Sequence, residues 1–408
     1  MDADTGSFLA VLGAAAVAPL LSVLAQRPVR SLVVPVVVIE LLLGVLIGPS
    51  GFELAELGIE LEFLGQLGLG FLFFFAGYEI RFELIRGSPL RLAVLGWMVS
   101  VALAYSIAGV LAAAGVVVSG LLTGSAMATT ALGTLVPVMR DAGALSTRLG
   151  RFVLGAGAMG EFGPVLIVTL LLSTQSDTLT QALLLCAFVA IAVLAAAISS
   201  GAMGRHYQFL ERSLETSGQL MVRLTVLLLF GLVVIAADLG LDVILGAFAA
   251  GVIVRLALGG READRFESKL DAVGFGLLIP FFFVTSGMGL ELGALTESVG
   301  AMLKLPLFLV LFLVVRGLPA LVLYRSELAS GERLSLALFS ATQLPLVVAI
   351  THIGVDQGHM RMSTAAALVG AGVLSVLIFP AAALAVRRPA NQRDGVTIDA
   401  PPTKGAVS

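Results

Sequence analysis

Glu161, Glu40 and Arg316 are the charged side chains that fall well inside apolar stretches of this sequence. Ionisable groups in such places mark functional sites by default. Glu161 stands in Met159-Gly160-Glu161-Phe162-Gly163-Pro164, in the middle of an apolar run over 148–172. It follows Arg151 by ten residues, which at about 1.5 Å per helical residue is half-way across a hydrocarbon core of about 30 Å. The bland alternative is a structural acid, protonated or paired between helices, but the flanking Gly and Pro also disturb the helix around it.

Arg316 precedes Arg325 by nine residues, a depth of about 14 Å by the same rise. Matched depth makes Arg316 and Glu161 candidates for each other, because opposite charges in lipid offset each other's desolvation only when close; the bland alternative for Arg316 is an anchor snorkelling to the inner surface. Two further stretches look interrupted at the same level. One is Ser125-Ala126-Met127-Ala128-Thr129-Thr130-Ala131-Leu132-Gly133-Thr134, and the other Ser340-Ala341-Thr342-Gln343-Leu344-Pro345. Broken helices expose carbonyls and opposed dipole ends that can coordinate a cation, so Thr129, Thr130, Thr342 and Gln343 join the candidate site. Each hydroxyl or amide alone is ordinary interhelical bonding. Glu40 lies about 15 Å from Arg30 by helical rise and reads as structural or interfacial ahead of ion-carrying. His206, His352 and His359 fall at span ends and read as incidental.

The elements that must position these groups follow from composition. The chain has 408 residues, 58% hydrophobic and 12% charged, with 46 Gly and a mean hydropathy of +1.05. Soluble domains do not reach that profile, so the expected class is an all-α polytopic membrane protein. Thirteen spans are expected, near 7–25, 32–48, 62–80, 90–113, 116–139, 149–172, 180–202, 219–237, 242–257, 270–290, 300–323, 333–353 and 362–386. Spans 32–48 and 242–257 are short enough to be tilted or broken.

With the N-terminus outside, 21 of the 24 Lys and Arg residues fall on the inner side, as the positive-inside rule requires. Lys304 and Arg361 then lie outside, and Arg316 is the sole buried base. The outer loops are acidic, with Glu53, Glu56, Glu60 and Glu62 before the third span. An odd helix count permits two inverted six-helix halves, spans 1–6 and 8–13, joined by span 7, an arrangement typical of transporters. The single Cys186 rules out an intrachain disulfide and a thiolate cluster. Nothing suggests nucleic acid, and no paired-Asp, Ser-Lys, Ser-His or HExxH arrangement suggests a hydrolase. Met1–Gly6 carries Asp2 and Asp4 where a cleaved signal would be basic, so the first helix is expected to remain. The tail 387–408 is short and polar, and no soluble regulatory domain is expected in it.

Several stretches in order carry a likeness to a known family: Ile39-Glu40-Leu41-Leu42-Leu43-Gly44-Val45-Leu46-Ile47-Gly48-Pro49-Ser50, Phe71-Leu72-Phe73-Phe74-Phe75-Ala76-Gly77-Tyr78-Glu79-Ile80, Thr129-Thr130-Ala131-Leu132, Leu245-Gly246-Ala247-Phe248-Ala249-Ala250-Gly251 and Pro280-Phe281-Phe282-Phe283-Val284-Thr285-Ser286-Gly287-Met288. Over residues 7–386 the chain resembles the prokaryotic sodium/hydrogen exchanger family, in the monovalent cation:proton antiporter branch that includes the potassium-efflux antiporters. The resemblance implies a transmembrane transporter domain, 7–386, with a core domain from spans 4–6 and 11–13, a dimerisation domain from spans 1–3 and 8–10, and span 7 as linker. It implies crossed, broken helices in spans 5 and 12, a homodimer in the cytoplasmic membrane, and no cofactor. It places the shared proton and cation site on Glu161 and the supporting base on Arg316. The family usually has Asp there, preceded by Asp, Asn or Gln, whereas this chain has Gly160-Glu161.

The activity so implied is exchange of Na⁺ or K⁺ for H⁺ around one membrane carboxylate, without enzymatic chemistry. A symporter of an organic anion on the same scaffold, or a membrane sensor, is the alternative. A bare carboxylate crossing the barrier costs several kcal/mol, so only a protonated or ion-paired one should cross.

Overall fold

Apolar runs in lipid must satisfy every backbone N–H and C=O within the segment, and the helix is the local way to do it. In the computed structural model the described residues are 3–26, 35–79, 87–172, 218–239, 243–258, 264–290, 293–296 and 298–387, with positions 190, 194 and 216 between them. They form α1 (Ala3–Gln26), α2 (Val36–Ile47), α3 (Ile59–Tyr78), α4 (Ser88–Ala113), α5 (Gly120–Met127), α6 (Leu132–Asp141) and α7 (Arg148–Leu172). After these come α8 (Leu220–Asp238), α9 (Val243–Leu258), α10 (Asp264–Val273), α11 (Ile279–Met288), α12 (Val299–Phe312), α13 (Leu318–Leu323), α14 (Ser330–Ser340), α15 (Pro345–Asp356) and α16 (Met362–Arg387).

Among the described residues nine helices are long and apolar enough to cross a membrane, and Val36–Ile47, Gly120–Val136 and Ile244–Leu258 are shorter apolar helices. These coincide with twelve of the thirteen expected spans. Apart from positions 190 and 194, the expected linker span 180–202, with Cys186, lies outside the described residues, as do His206 and the tail beyond Arg387. No strand occurs among the described residues.

Proline accounts for the irregular turns. Pro319 and Pro280 cannot donate to the carbonyl four residues back, and each ring crowds that carbonyl. In both places the helix widens into a π turn just ahead of the proline, Leu313–Gly317 between α12 and α13 and Gly274–Leu278 between α10 and α11. The first of these turns carries Arg316.

The helices pack in two groups. In one, α3 lies along α9 and α11, with α2 on α11 and α8 on α9. A Cβ on Gly251 or Gly77 would run into the facing backbone, at the Phe74 and Phe248 carbonyls respectively, so small residues set this close approach. In the other group α4 packs on α5 and α7, and α16 on α12, α14 and α15. The groups meet where α7 touches α9 and α3, and where α6 touches α3. At one end Glu327 accepts from Arg148 Nη2 and from Ser88 Oγ, each at 2.6 Å, tying the starts of α4 and α7 to the α13–α14 turn.

Candidate functional site

Spans 5 and 12 are both interrupted part-way along, over 128–131 and 341–344, and their extended segments cross. The Ala131 N–H donates to the Thr342 carbonyl at 2.8 Å, and Thr130 Oγ1 donates to the Ser340 carbonyl at 2.6 Å. Gln343 spans the crossing: its Oε1 accepts from Thr129 Oγ1 at 3.1 Å, and its Nε2 donates to the Met127 carbonyl at 3.0 Å. Ser375 closes the far side, accepting from the Gln343 N–H and donating to its carbonyl. Backbone polar groups stripped of helical partners are costly in lipid, and here the side chains named by the sequence satisfy them.

Helix α7 runs beside this crossing, and its proline opens it to a third partner. Pro164 has no N–H for the Gly160 carbonyl, so that carbonyl instead accepts from the Thr130 N–H at 3.0 Å. Glu161, one residue on, is 5% exposed. Its Oε1 accepts from the Leu132 N–H at 2.8 Å and the Gly133 N–H at 3.4 Å. Those are the first donors of α6, left without helical acceptors at the positive end of its dipole, where a carboxylate is favoured. Its Oε2 is buried with no hydrogen-bond partner among the described residues. The carboxylate lines a cavity of about 310 Å³ together with Glu79, Gly133, Thr134, Phe75 and Phe283.

Arg316 is placed differently from expectation. Its Nε and Nη2 donate to Thr130 Oγ1 at 3.0 and 2.8 Å, Nη2 also to the Ala156 carbonyl at 2.9 Å, and Nη1 to Ser100 Oγ at 3.3 Å. No ion pair among the described residues joins it to Glu161. The reason is helical rotation. Residues 160 and 161 point about 100° apart at 3.6 residues per turn, so the guanidinium, lying against the bare face of Gly160, is turned away from the Glu161 side chain. A Cβ on Gly160 would stand 2.6 Å from Arg316 Nη2 and 2.6 Å from Thr130 Oγ1.

Thr129 and Thr130 have their hydroxyls engaged in the crossing and in holding Arg316, and neither lines the cavity; Thr134 does. Thr342, in the break, donates back to the Leu338 carbonyl in the last turn of α14. Glu40 is buried on α2 with no hydrogen bond or ion pair among the described residues, and it is not part of the cavity wall. Arg316 is not the sole buried base. Lys304, expected in an outer loop, is 8% exposed on α12 and donates to Ser363 and Thr364 hydroxyls on α16.

The sequence reading passed over Glu79, which directly follows α3 and lies just past the last residues of an apolar run. Its carboxylate oxygens are 3.5 and 3.7 Å from where a Cβ on Gly133 would stand, and Gly133 is also a donor to Glu161. The signal was an acid closing Phe73-Phe74-Phe75-Ala76-Gly77-Tyr78 with no basic residue before it in that run.

Comparison with known proteins adds to this geometry. A protein-family model described as "Sodium/hydrogen exchanger, transmembrane" matches residues 13–384. YjbQ of Bacillus subtilis (strain 168) is 27% identical over 372 residues, 85% of this chain and 58% of that protein, so the chain spans less than two thirds of its length. The Na⁺/H⁺-K⁺ antiporter GerN of Bacillus cereus is 25% identical over 361 residues, 85% of this chain and 88% of GerN. The sodium proton antiporter MjNhaP1 of Methanocaldococcus jannaschii superposes with a TM-score of 0.61 over 93% of this chain and 96% of its own, at 18% identity, a likeness of fold.

Proposed function

The chain belongs to the sodium/hydrogen exchanger family, and from that membership we propose that it is a secondary active antiporter exchanging Na⁺ or K⁺ for H⁺ at Glu161. The observation that carries the reading is the divided state of that carboxylate. One oxygen is held by the α6 N-terminus, the other is buried with no hydrogen-bond partner among the described residues, and the residue lines a cavity. A proton or a cation can take the free oxygen. Both cannot, and that competition couples the two fluxes.

In this proposal α4–α7 and α12–α16 form the moving core, and α1–α3 with α8–α11 form the scaffold and the homodimer contact. The broader exposed apolar faces of α1 and α8, including Leu20 and Leu227, suit lipid or a second copy. Arg316 serves as a fixed strut of the crossing, holding Thr130 against α7, and Thr129, Thr342 and Gln343 keep the broken segments in register. The core moves when Glu161 is neutralised, because an uncompensated carboxylate is costly against apolar walls.

The N-terminus is assigned to the outside and Arg387 to the inside of the cytoplasmic membrane. On that assignment the cavity, whose wall includes Val138 near Arg140 in the last turn of α6, opens inward. Purified protein reconstituted with an internal pH dye tests the reading: adding Na⁺, K⁺ or Li⁺ outside should move internal pH. A pH trace insensitive to all three ions would remove it.

A further inference from the structure

The cavity beside Glu161 is mostly apolar. Among the described residues that line it, Glu79 and Glu161 are the acids, and the uncharged side-chain oxygens belong to Ser22 and Thr134; the other lining residues are apolar or glycine. A monovalent cation entering such a space leaves water behind, and a hard cation replaces water best with oxygen. One carboxylate oxygen does not complete a coordination shell, so a second protein oxygen close to Glu161 matters.

Thr134 has the place and the freedom for this. It follows Gly133 directly in the first turn of α6, and the Leu132 and Gly133 N–H groups are the ones that hold Glu161 Oε1. Other helical threonines of this chain turn the hydroxyl back on their own helix: Thr225 Oγ1 donates to the Met221 carbonyl, Thr285 Oγ1 to the Phe281 carbonyl and Thr351 Oγ1 to the Val348 carbonyl. The half-buried Thr134 makes no side-chain hydrogen bond among the described residues. The break in span 5 is the reason. Because α6 begins at Leu132, no helical turn precedes Thr134, and the carbonyl four residues back, that of Thr130, lies in the break and accepts from the Leu132 N–H at 3.2 Å.

We propose that Thr134 Oγ1 is a ligand of the transported cation, joining the free oxygen of Glu161, and that it sets how well the cation competes with a proton there. The proposal rests on the antiport reading. A hydroxyl offers lone pairs to a cation and brings no charge, whereas a proton is held by the carboxylate alone. Thr134 thus strengthens one of the two competitors, and the balance between them is set by a neutral side chain of α6.

The test is Thr134→Val in the full chain, which keeps the shape and removes the oxygen. Half-saturating Na⁺ and K⁺ are measured in proteoliposomes over a range of pH, together with the proton concentration that doubles them. Loss of one oxygen ligand should raise half-saturation on the order of tenfold for at least one of the ions, by the same factor at each pH. The doubling proton concentration should keep its wild-type value, because Glu79 and Glu161, the titratable groups of the wall, are unaltered. Thr134→Ser should restore wild-type half-saturation. Unchanged half-saturation for both ions overturns the proposal, as does failure of Thr134→Ser to restore it. A rise accompanied by a moved proton concentration overturns it too, since that is what a displaced α6 would give by loosening its hold on Glu161. Thr134→Cys, whose sulfur is a poor ligand for hard cations, answers the same question should the Val variant fail to give monodisperse protein. Wild-type proteoliposomes without any cation-driven proton flux would instead sink the antiport reading itself.

Discussion

Arg316 and Gly160 occupy one volume: the guanidinium Nη2 lies 2.6 Å from where a side chain on residue 160 would begin. This chain fills the space beside residue 160 with Arg316 and Thr130. Gly160→Ala should therefore be costly despite its small size. The guanidinium could retreat, but Thr130 Cβ, 2.7 Å from the same point, is fixed by the crossing. Overpacking of this kind costs about 1–3 kcal/mol. A melting temperature in detergent equal to wild type would show that the site relaxes freely.

Among the described residues Thr130 is the only acceptor of Arg316 Nε, and it also donates to the Ser340 carbonyl. Thr130→Val removes the hydroxyl at constant shape and leaves a buried donor unmatched, at about 1–3 kcal/mol. Thr130→Ser should retain most of the stability. In a double-mutant cycle with Arg316→Ala, the Thr130→Val effect should be non-additive by about 0.5–3 kcal/mol, whereas Glu161→Ala should couple to Arg316→Ala less strongly. Stronger coupling to Glu161 would restore the ion pair that depth alone suggested.

That difference shows what was legible in the sequence. Twelve crossings were visible because each is a run of apolar residues, and the two breaks were visible because Thr129 and Gln343 interrupt such runs at one depth. Depth, however, carries no rotation about the helix axis. Gly160 and Glu161 share a depth yet face different neighbours, so Arg316 was given the wrong partner. The carboxylate's actual partners, the Leu132 and Gly133 N–H groups, are backbone and carry no sequence signature. Glu79 and Lys304 were misread because a span boundary, uncertain by a few residues, decides whether a charge at its edge is in water or in the wall of a cavity.

Glu327 gives a pH-dependent contribution outside the membrane. Hydrogen bonds from Ser88 and then Arg148 hold its carboxyl below the ordinary Glu range. A depressed value in the folded state means that the contribution is complete above the unfolded pKa of about 4.3 and fades as pH falls through the lower folded value. The melting temperatures of wild type and Glu327→Gln should differ slightly at pH 7 and converge toward pH 3. The pair is exposed, so the gap should shrink in high salt. A gap that widens on acidification would contradict the assignment.

Gly160 supplies no titratable group, and Arg316 is committed to Thr130, Ser100 and the Ala156 carbonyl. One carboxylate then shuttles one proton against one cation, and the exchange moves no net charge. With the potential of proteoliposomes clamped by K⁺ and valinomycin, the Na⁺/H⁺ balance point should be indifferent to voltage. A shift with voltage that disappears in Glu40→Gln would identify Glu40 as a second carrier.

The central claim is that the free oxygen of Glu161 is the shared seat of proton and cation. Glu161→Gln keeps the side-chain shape and the contact with the α6 N-terminus but can neither carry a proton nor neutralise a cation. In dye-loaded proteoliposomes the account predicts that this variant, with a wild-type size-exclusion profile, shows no pH change on addition of Na⁺, K⁺ or Li⁺, where wild type responds to at least one. Cation-driven proton flux at the wild-type rate in the folded variant would contradict it.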